Sequence, residues 1–296
     1  LYGRVTAQIV AAIEAGAGEY RMPWNPRLCG GTSVRIPHNP IGQYGYRGVN
    51  ILTLWAAQQA NAHPSAEWAT YRQWATAGAQ VRASEKGTMT IFFKRLDATE
   101  GRDANDQEDG AHHRRGHFVA RAAYVFNAAQ VDGYKSRPMP PLPEIERNTA
   151  ADHLITASGA VIHHGGPRAC YIPSRDEIHL PPPGSFRDAE GYYTVALHEL
   201  THWTGHESRC ARDLRNRFGN EAYAAEELIA ELGAAFLCAE LGISPEPRCD
   251  HAQYIENWLK VLRNDKRAIF TAASRASDAA SYLRALTEVE SEGKAA

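Results

Sequence analysis

The sequence lacks the features that mark membrane and secreted proteins. No run approaches the roughly 18 consecutive apolar residues of a membrane-spanning helix. The opening residues, Leu1-Tyr2-Gly3-Arg4, have no basic-then-apolar layout of the signal-peptide kind. Cysteine is scarce and scattered: Cys29, Cys170, Cys210, Cys238 and Cys249 form no C-x-x-C pair. That argues against both a disulfide framework and a cysteine zinc site, and for a reducing compartment. No segment repeats at a fixed period. There is also no cluster of carboxylates such as a two-metal nuclease or polymerase site requires. The expectation is a cytoplasmic protein with no membrane partner.

What is present is ordinary in bulk and uneven in distribution. The 296 residues, 44% hydrophobic and 22% charged, suit a globular chain of two domains. Residues 1–140 hold 16 Lys+Arg against 11 Asp+Glu, a net +5, while the remainder holds 16 against 23, a net −7. Six of the N-terminal acids fall within residues 97–117, so the rest of that half is markedly basic. A basic half beside an acidic one suggests a module for polyanions joined to something else.

Periodicity divides the chain in the same place. Val5, Ile9, Val10 and Ile13 have helical spacing, and Asn50–Ala60 and Thr70–Ala77 read as further helices. Pro23–Gly48 is rich in turn signals. Thr88–Arg95 and His117–Phe126 read as strands, flanking a polar segment, Asp97–Gly116, that predicts a mobile loop. Arg137-Pro-Met-Pro-Pro-Leu-Pro143 is the best linker candidate. Beyond it come a helix at Ala150–Ala157, strands near Val161 and Ala169–Ile172, and Ile178-His179-Leu180. Three prolines follow Leu180, so this strand reads as an edge. Gly191–Gly205, Ala222–Leu241, His251–Phe270 and Ala272–Ala285 are predicted helices. The fold class is therefore α+β, with domains at 1–136 and 150–296 and a linker at 137–149; the second domain is mostly helical with a small sheet.

The second domain carries His198-Glu199-Leu200-Thr201-His202. Histidines four apart lie on one helical face and can reach one ion, while Glu199 can take a proton from a metal-bound water. Val195, Ala196, Leu197 and Leu200 make this helix apolar, so the polar trio is costly there without a shared purpose. The third ligand is sought on Ala225–Phe236, where Glu227, Ala230, Glu231 and Ala234 share a face. One of Glu227 and Glu231 should bind metal and the other should hydrogen-bond a ligating histidine. Glu226 is rotated away and reads as solvated. Because Glu231-x-x-Ala234 before an apolar pair resembles the ligand helix of the ImmA/IrrE metallopeptidases, Glu231 is favoured, with Glu227 its rival. The cofactor expected is one divalent ion, zinc first, with manganese or another ion also accepted by such donors. Tyr192, Tyr193 and Tyr223 read as packing residues. His163-His164 and His112-His113 are adjacent pairs unable to face one metal, and read as surface residues.

In the first half, aromatics alternate with bases, as in Tyr20–Trp24, Tyr44–Arg47, Trp68–Trp74 and Ile91–Arg95. Single-stranded nucleic acid is bound in this way, bases stacking on rings while Lys and Arg track phosphates. Tyr44, Tyr46, Arg47, Arg72, Arg82 and Lys86, in or beside turns, are the contact candidates. Trp55, Trp68, Trp74 and Phe92 are expected in the core.

These residues together resemble the plasmid antirestriction ArdC family over nearly the whole chain. Ala15-Gly16 to Pro23-Trp24, Asn39-Pro40, Tyr46–Asn50, Trp68-Ala69-Thr70 and Gly78–Gly87 are similar to its DNA-binding domain. His198–His206, Glu226–Ala235 and His251–Trp258 are similar to its zincin-like peptidase domain. The resemblance implies a protein that binds single-stranded DNA and helps incoming conjugative plasmid DNA survive host restriction. It also implies a metal-dependent peptidase domain with a peptide or protein substrate, and a kinship with primases of conjugative plasmids. The alternative left open is a DNA-binding protein whose metal site is structural or vestigial.

Overall fold

The apolar stripe Val5, Ile9 and Ile13 winds into α1 (Tyr2–Ala17) and is fully buried. The computed structural model describes residues 1–17, 35–96, 117–136, 144–186, 188–214, 221–243 and 251–295. The Tyr20–Trp24 segment, the Asp97–Gly116 segment, the proline run from Arg137, Cys29 and Cys249 lie outside the described residues. After α1 come β1 (His38–Asn39), β2 (Tyr44–Gly45), α2 (Val49–Ala60), β3 (Trp68–Thr70), α3 (Tyr71–Thr76), β4 (Gln80–Val81), β5 (Thr88–Leu96), β6 (His117–Asn127) and β7 (Val131–Asp132). Thr70 starts α3 with a capping box: its hydroxyl accepts the Gln73 N–H, and the Gln73 side chain accepts the Thr70 N–H.

β5 and β6 pair antiparallel along their whole length, and β3 joins the other side of β6. Asn50 on α2 pins this sheet to the helix layer: its amide donates to Ile91 O at 2.7 Å and accepts from Ile91 N at 2.8 Å. Trp55, Trp68 and Trp74 are core residues, as expected.

The second half continues with α4 (Glu144–Ser158), β8 (Val161–His164), β9 (Cys170–Ile172), β10 (Glu177–Leu180), α5 (Ala189–Trp203), α6 (Glu221–Leu241), α7 (His251–Asn264) and α8 (Ala268–Ala295). Three expectations change. Residues 144–149, taken as linker, are the first turns of α4. The helix expected to run from His251 to Phe270 breaks after Asn264, because Asp265 turns the chain and its carboxylate accepts the Arg267 N–H at 2.8 Å. Finally, β10 is the central strand of its sheet, parallel to β8 on one side and antiparallel to β9 on the other. The prolines at 181–183 begin after its last paired residue, Leu180, so they end the strand without removing a ladder hydrogen bond.

The two domains are not separated by solvent. One apolar cluster runs from Ile9 and Ile13 of α1 through Leu52 and Trp55 of α2 to Phe236 of α6 and Leu283 of α8. Trp55 meets Phe236 with ring centroids 5.8 Å apart. α1 packs on α7 and α2 on α8. Among the described residues, no helix is long and apolar enough to cross a membrane.

Candidate metal centre

Asp188 starts α5 by accepting the Gly191 N–H at 2.8 Å, and the helix carries His198 and Glu199 into the interior, with His202 at its margin. α6 lies against α5 unusually closely. A Cβ built on Gly233 would stand 2.5 Å from Thr201 Cγ2, so only glycine permits this approach. The close packing brings three carboxylates, Glu226, Glu227 and Glu231, onto the histidine pair, and all three are buried.

Their arrangement assigns distinct positions. Nε2 of His198 and Nε2 of His202 each stand 3.5 Å from an oxygen of Glu227. Two donors bound 2.0–2.1 Å from one tetrahedral ion are about 3.4 Å apart. The Glu227 pairings therefore match an ion's coordination edge and are long for hydrogen bonds. Glu231 lies on the other side of the His198 ring, 3.7 Å from Nδ1, and that buried Nδ1 has no hydrogen-bond partner among the described residues. Glu226 accepts from Nδ1 of His202 at 3.2 Å. His198, His202 and Glu227 thus form a three-donor cluster. Their fit to a divalent ion rests on these separations and on the chemistry of two imidazoles and a carboxylate. The favoured Glu231 lies outside that cluster, behind a histidine.

Glu226 departs furthest from expectation. It is buried rather than solvated, because the chain after α5 folds back over it. Arg212 donates to Glu226 through Nε at 3.0 Å and through its Nη2 at 2.9 Å. Arg212 also donates to Thr201 O at 2.6 Å and to Thr204 Oγ1 at 2.9 Å, capping the C-terminal end of α5. The network runs Arg212, Glu226, His202, Glu227. Burial alone would push the His202 imidazole down. The carboxylates of Glu226 and Glu227 beside it outweigh burial and raise the pKa to about 10. Burial raises Glu226 and Glu227, but His202 with Arg212, and His198 with His202, respectively, hold them below the usual carboxylate range. Arg212 carried no sequence signal, since no spacing rule links it to the histidines.

The strands complete the surroundings. Ile178 and Leu180 bury one face of β10 in the core shared with α5. Burial, and then the Glu199 carboxylate, push the Cys170 thiol up, so β9 lies within electrostatic reach of Glu199. Tyr193 donates to Asp152 at 2.9 Å and Tyr192 pairs with His164 Nε2 at 3.0 Å, so both have structural partners.

The N-terminal candidates disperse. Tyr46, expected to contact DNA, is buried instead, and its hydroxyl donates to Trp68 O at 3.1 Å. Arg47 donates to Ser281 on α8 at 2.8 Å, and Arg82 pairs with Glu85 at 2.8 Å. Both arginines are exposed nonetheless, as are Tyr44, Arg72 and Lys86. Lys86 borders a cleft of about 780 Å³ between α1, the end of α2 and the β5–β6 hairpin. Phe92, expected in the core, is 47% exposed, and its neighbour Phe93 54%. β5 and β6 run on as a hairpin beyond the part that α2 covers, so alternation there no longer means burial. Tyr71 and Tyr124 are also exposed, and Arg121 pairs with Phe92 across the hairpin.

Comparison with known proteins matches both halves. Residues 1–126 fit the N-terminal domain of the anti-restriction factor ArdC, and residues 149–275 fit a zincin-like metallopeptidase domain. The metal-free crystal structure of the antirestriction ArdC protein from plasmid R388 superimposes with a TM-score of 0.79 at 35% identity, covering 98% of each chain. The chain belongs to the ArdC family. The Mn(II)-bound form of the same R388 protein matches with a TM-score of 0.76 at 36% identity, covering 97% of this chain and 98% of that one. This relative and the zincin-like fold both support a divalent ion in ArdC-family chains. An uncharacterised protein, y4eC, of Sinorhizobium fredii is 47% identical over 96% of this chain and 92% of its own. Two Escherichia coli DNA primases TraC are 40% and 38% identical over 96% of this chain, which spans only 27% and 20% of their lengths.

Proposed function

We propose that this chain is an antirestriction protein that binds single-stranded DNA and carries a metal-dependent peptidase site, acting in the cytoplasm on incoming plasmid DNA. What carries the reading is the convergence of His198 Nε2 and His202 Nε2 on Glu227 within an ArdC-family fold. The metal ligands are His198, His202 and Glu227, with Glu231 and Glu226 orienting the two imidazoles through Nδ1. A divalent ion held there, zinc by its donor set and manganese by analogy with the R388 protein, supplies Lewis acidity to a water and a carbonyl. Glu199 accepts the proton of the attacking water and delivers it to the leaving amine. An extended peptide would pair with β9, whose outer side is a sheet edge among the described residues; β10, being central, cannot take it.

DNA is held by the exposed aromatics and bases of the first domain. Tyr44, Arg47, Arg72, Arg82 and Lys86 remain candidates, joined by Phe92, Phe93, Tyr124 and Arg121 on the hairpin. Free thiols at Cys170, Cys210 and Cys238 suit a reducing compartment.

A second reading makes the ion structural. It is favoured by the burial of the donors, whose side chains are 4%, 13% and 10% exposed for His198, His202 and Glu227. Glu199→Ala separates the two. Loss of peptide cleavage with metal retained supports hydrolysis; unchanged cleavage, or none in the parent chain, sinks it. A gel shift with single-stranded DNA across salt concentrations tests the other half, since phosphate contacts weaken steeply with salt.

A further inference from the structure

A second set of metal-ligating side chains lies on the sheet, away from α6. The parallel register of β8 and β10 sets His163 directly opposite His179, with ring centroids 5.2 Å apart. Partners in register point to the same face, and residues two apart on a strand share a face. Glu177 therefore joins the two histidines, on the side opposite the buried Ile178 and Leu180. Its carboxylate stands 3.5 Å from His179 Nε2 and 3.8 Å from His163 Nε2. The Nε2 of His179 is shielded from solvent and has no hydrogen-bond partner among the described residues.

We infer that His163, Glu177 and His179 form a second divalent-cation site on the outer face of the β8–β10–β9 sheet. Glu177 stands as far from His179 Nε2 as Glu227 does from each histidine of the buried centre, close to the edge of about 3.4 Å around a tetrahedral ion, and somewhat farther from the exposed His163. Two imidazoles and one carboxylate suit zinc, copper(II) or nickel better than manganese or magnesium. Solvent completes the shell, because the side chains of His163, His179 and Glu177 are 54%, 34% and 28% exposed. Neither imidazole has a carboxylate behind its second nitrogen among the described residues, in contrast to Glu226 and Glu231 at the buried centre. The sheet site should therefore bind about 10–100-fold more weakly and exchange faster. His163 gave no such signal in the sequence, where its neighbour is His164; its partner arrives only through the β8–β10 register. The inference holds whether the buried centre is hydrolytic or structural.

Titrating the metal-free chain with zinc or copper(II), and counting bound ions, tests this. Two ions per chain are expected, one tight and one weaker. His163→Ala/His179→Ala should lose only the weaker ion, and His198→Ala/His202→Ala should keep it. A readout without substitution is histidine acylation by diethyl pyrocarbonate, mapped by mass spectrometry. Excess zinc should protect His163 and His179 while the exposed His153 stays reactive. One ion per chain at saturation would overturn the site. So would a weaker ion that persists in His163→Ala/His179→Ala, or an absence of protection in the parent chain.

Discussion

The α5–α6 pair and the β5–β6 hairpin present polar and aromatic groups in opposite ways. Between the helices, His198, His202, Glu226, Glu227 and Arg212 are packed into one network with Gly233 setting its width. Along the hairpin, Phe92, Phe93 and Tyr124 stand exposed. The first region is organised before any ligand arrives, so changes there should register as stability and metal affinity together. The second has little to lose in the free protein, so changes there should register only in binding. Pre-organisation and availability are the two properties that divide the molecule.

Perturbations can break that contrast. Arg212→Ala leaves Glu226 buried without its cation, which should cost about 3–5 kcal/mol in denaturant unfolding and weaken metal affinity about 10–100-fold, with DNA binding unchanged. Phe92→Ala with Phe93→Ala should cost about 1–3 kcal/mol of single-stranded DNA affinity for each ring that stacks on a base, and leave the metal titration as it was. Gly233→Ala pushes α6 off Thr201; about 1–3 kcal/mol of destabilisation by overpacking should accompany a weaker metal site.

A further lever, acting on the helix pair alone, is pH. In the metal-free chain the His202 pKa is raised from 6.5 to about 10, so the charged imidazole contributes stability that is whole below 6.5 and lost as pH climbs through about 10. Metal must displace that proton, so affinity should rise about tenfold per pH unit across the window. A flat profile would detach His202 from the site.

Legibility followed the same divide. The histidine pair and the carboxylate helix could be read because a helix places residues four apart on one face, and His198 with His202, and Glu227 with Glu231, obey that spacing. The choice between Glu227 and Glu231 could not, since it depends on the crossing of α5 and α6 about Gly233. Glu226 looked solvated for the same reason: its cover, Arg212, comes from a turn with no periodicity. On the hairpin, alternation identified both strands but not where α2 stops covering them, so Phe92 was expected inside. Tyr46 erred the other way, because its hydroxyl reaches Trp68 O and the ring follows it into the core. The prolines after Leu180 suggested an edge, yet they lie just past the ladder.

Anomalous scattering from a zinc- or manganese-loaded crystal addresses the central assignment directly. The ion should bond to Nε2 of His198, Nε2 of His202 and a carboxylate oxygen of Glu227, with Glu231 turned to His198 Nδ1. An ion held by Glu231 instead, with Glu227 displaced from the shell, would contradict it.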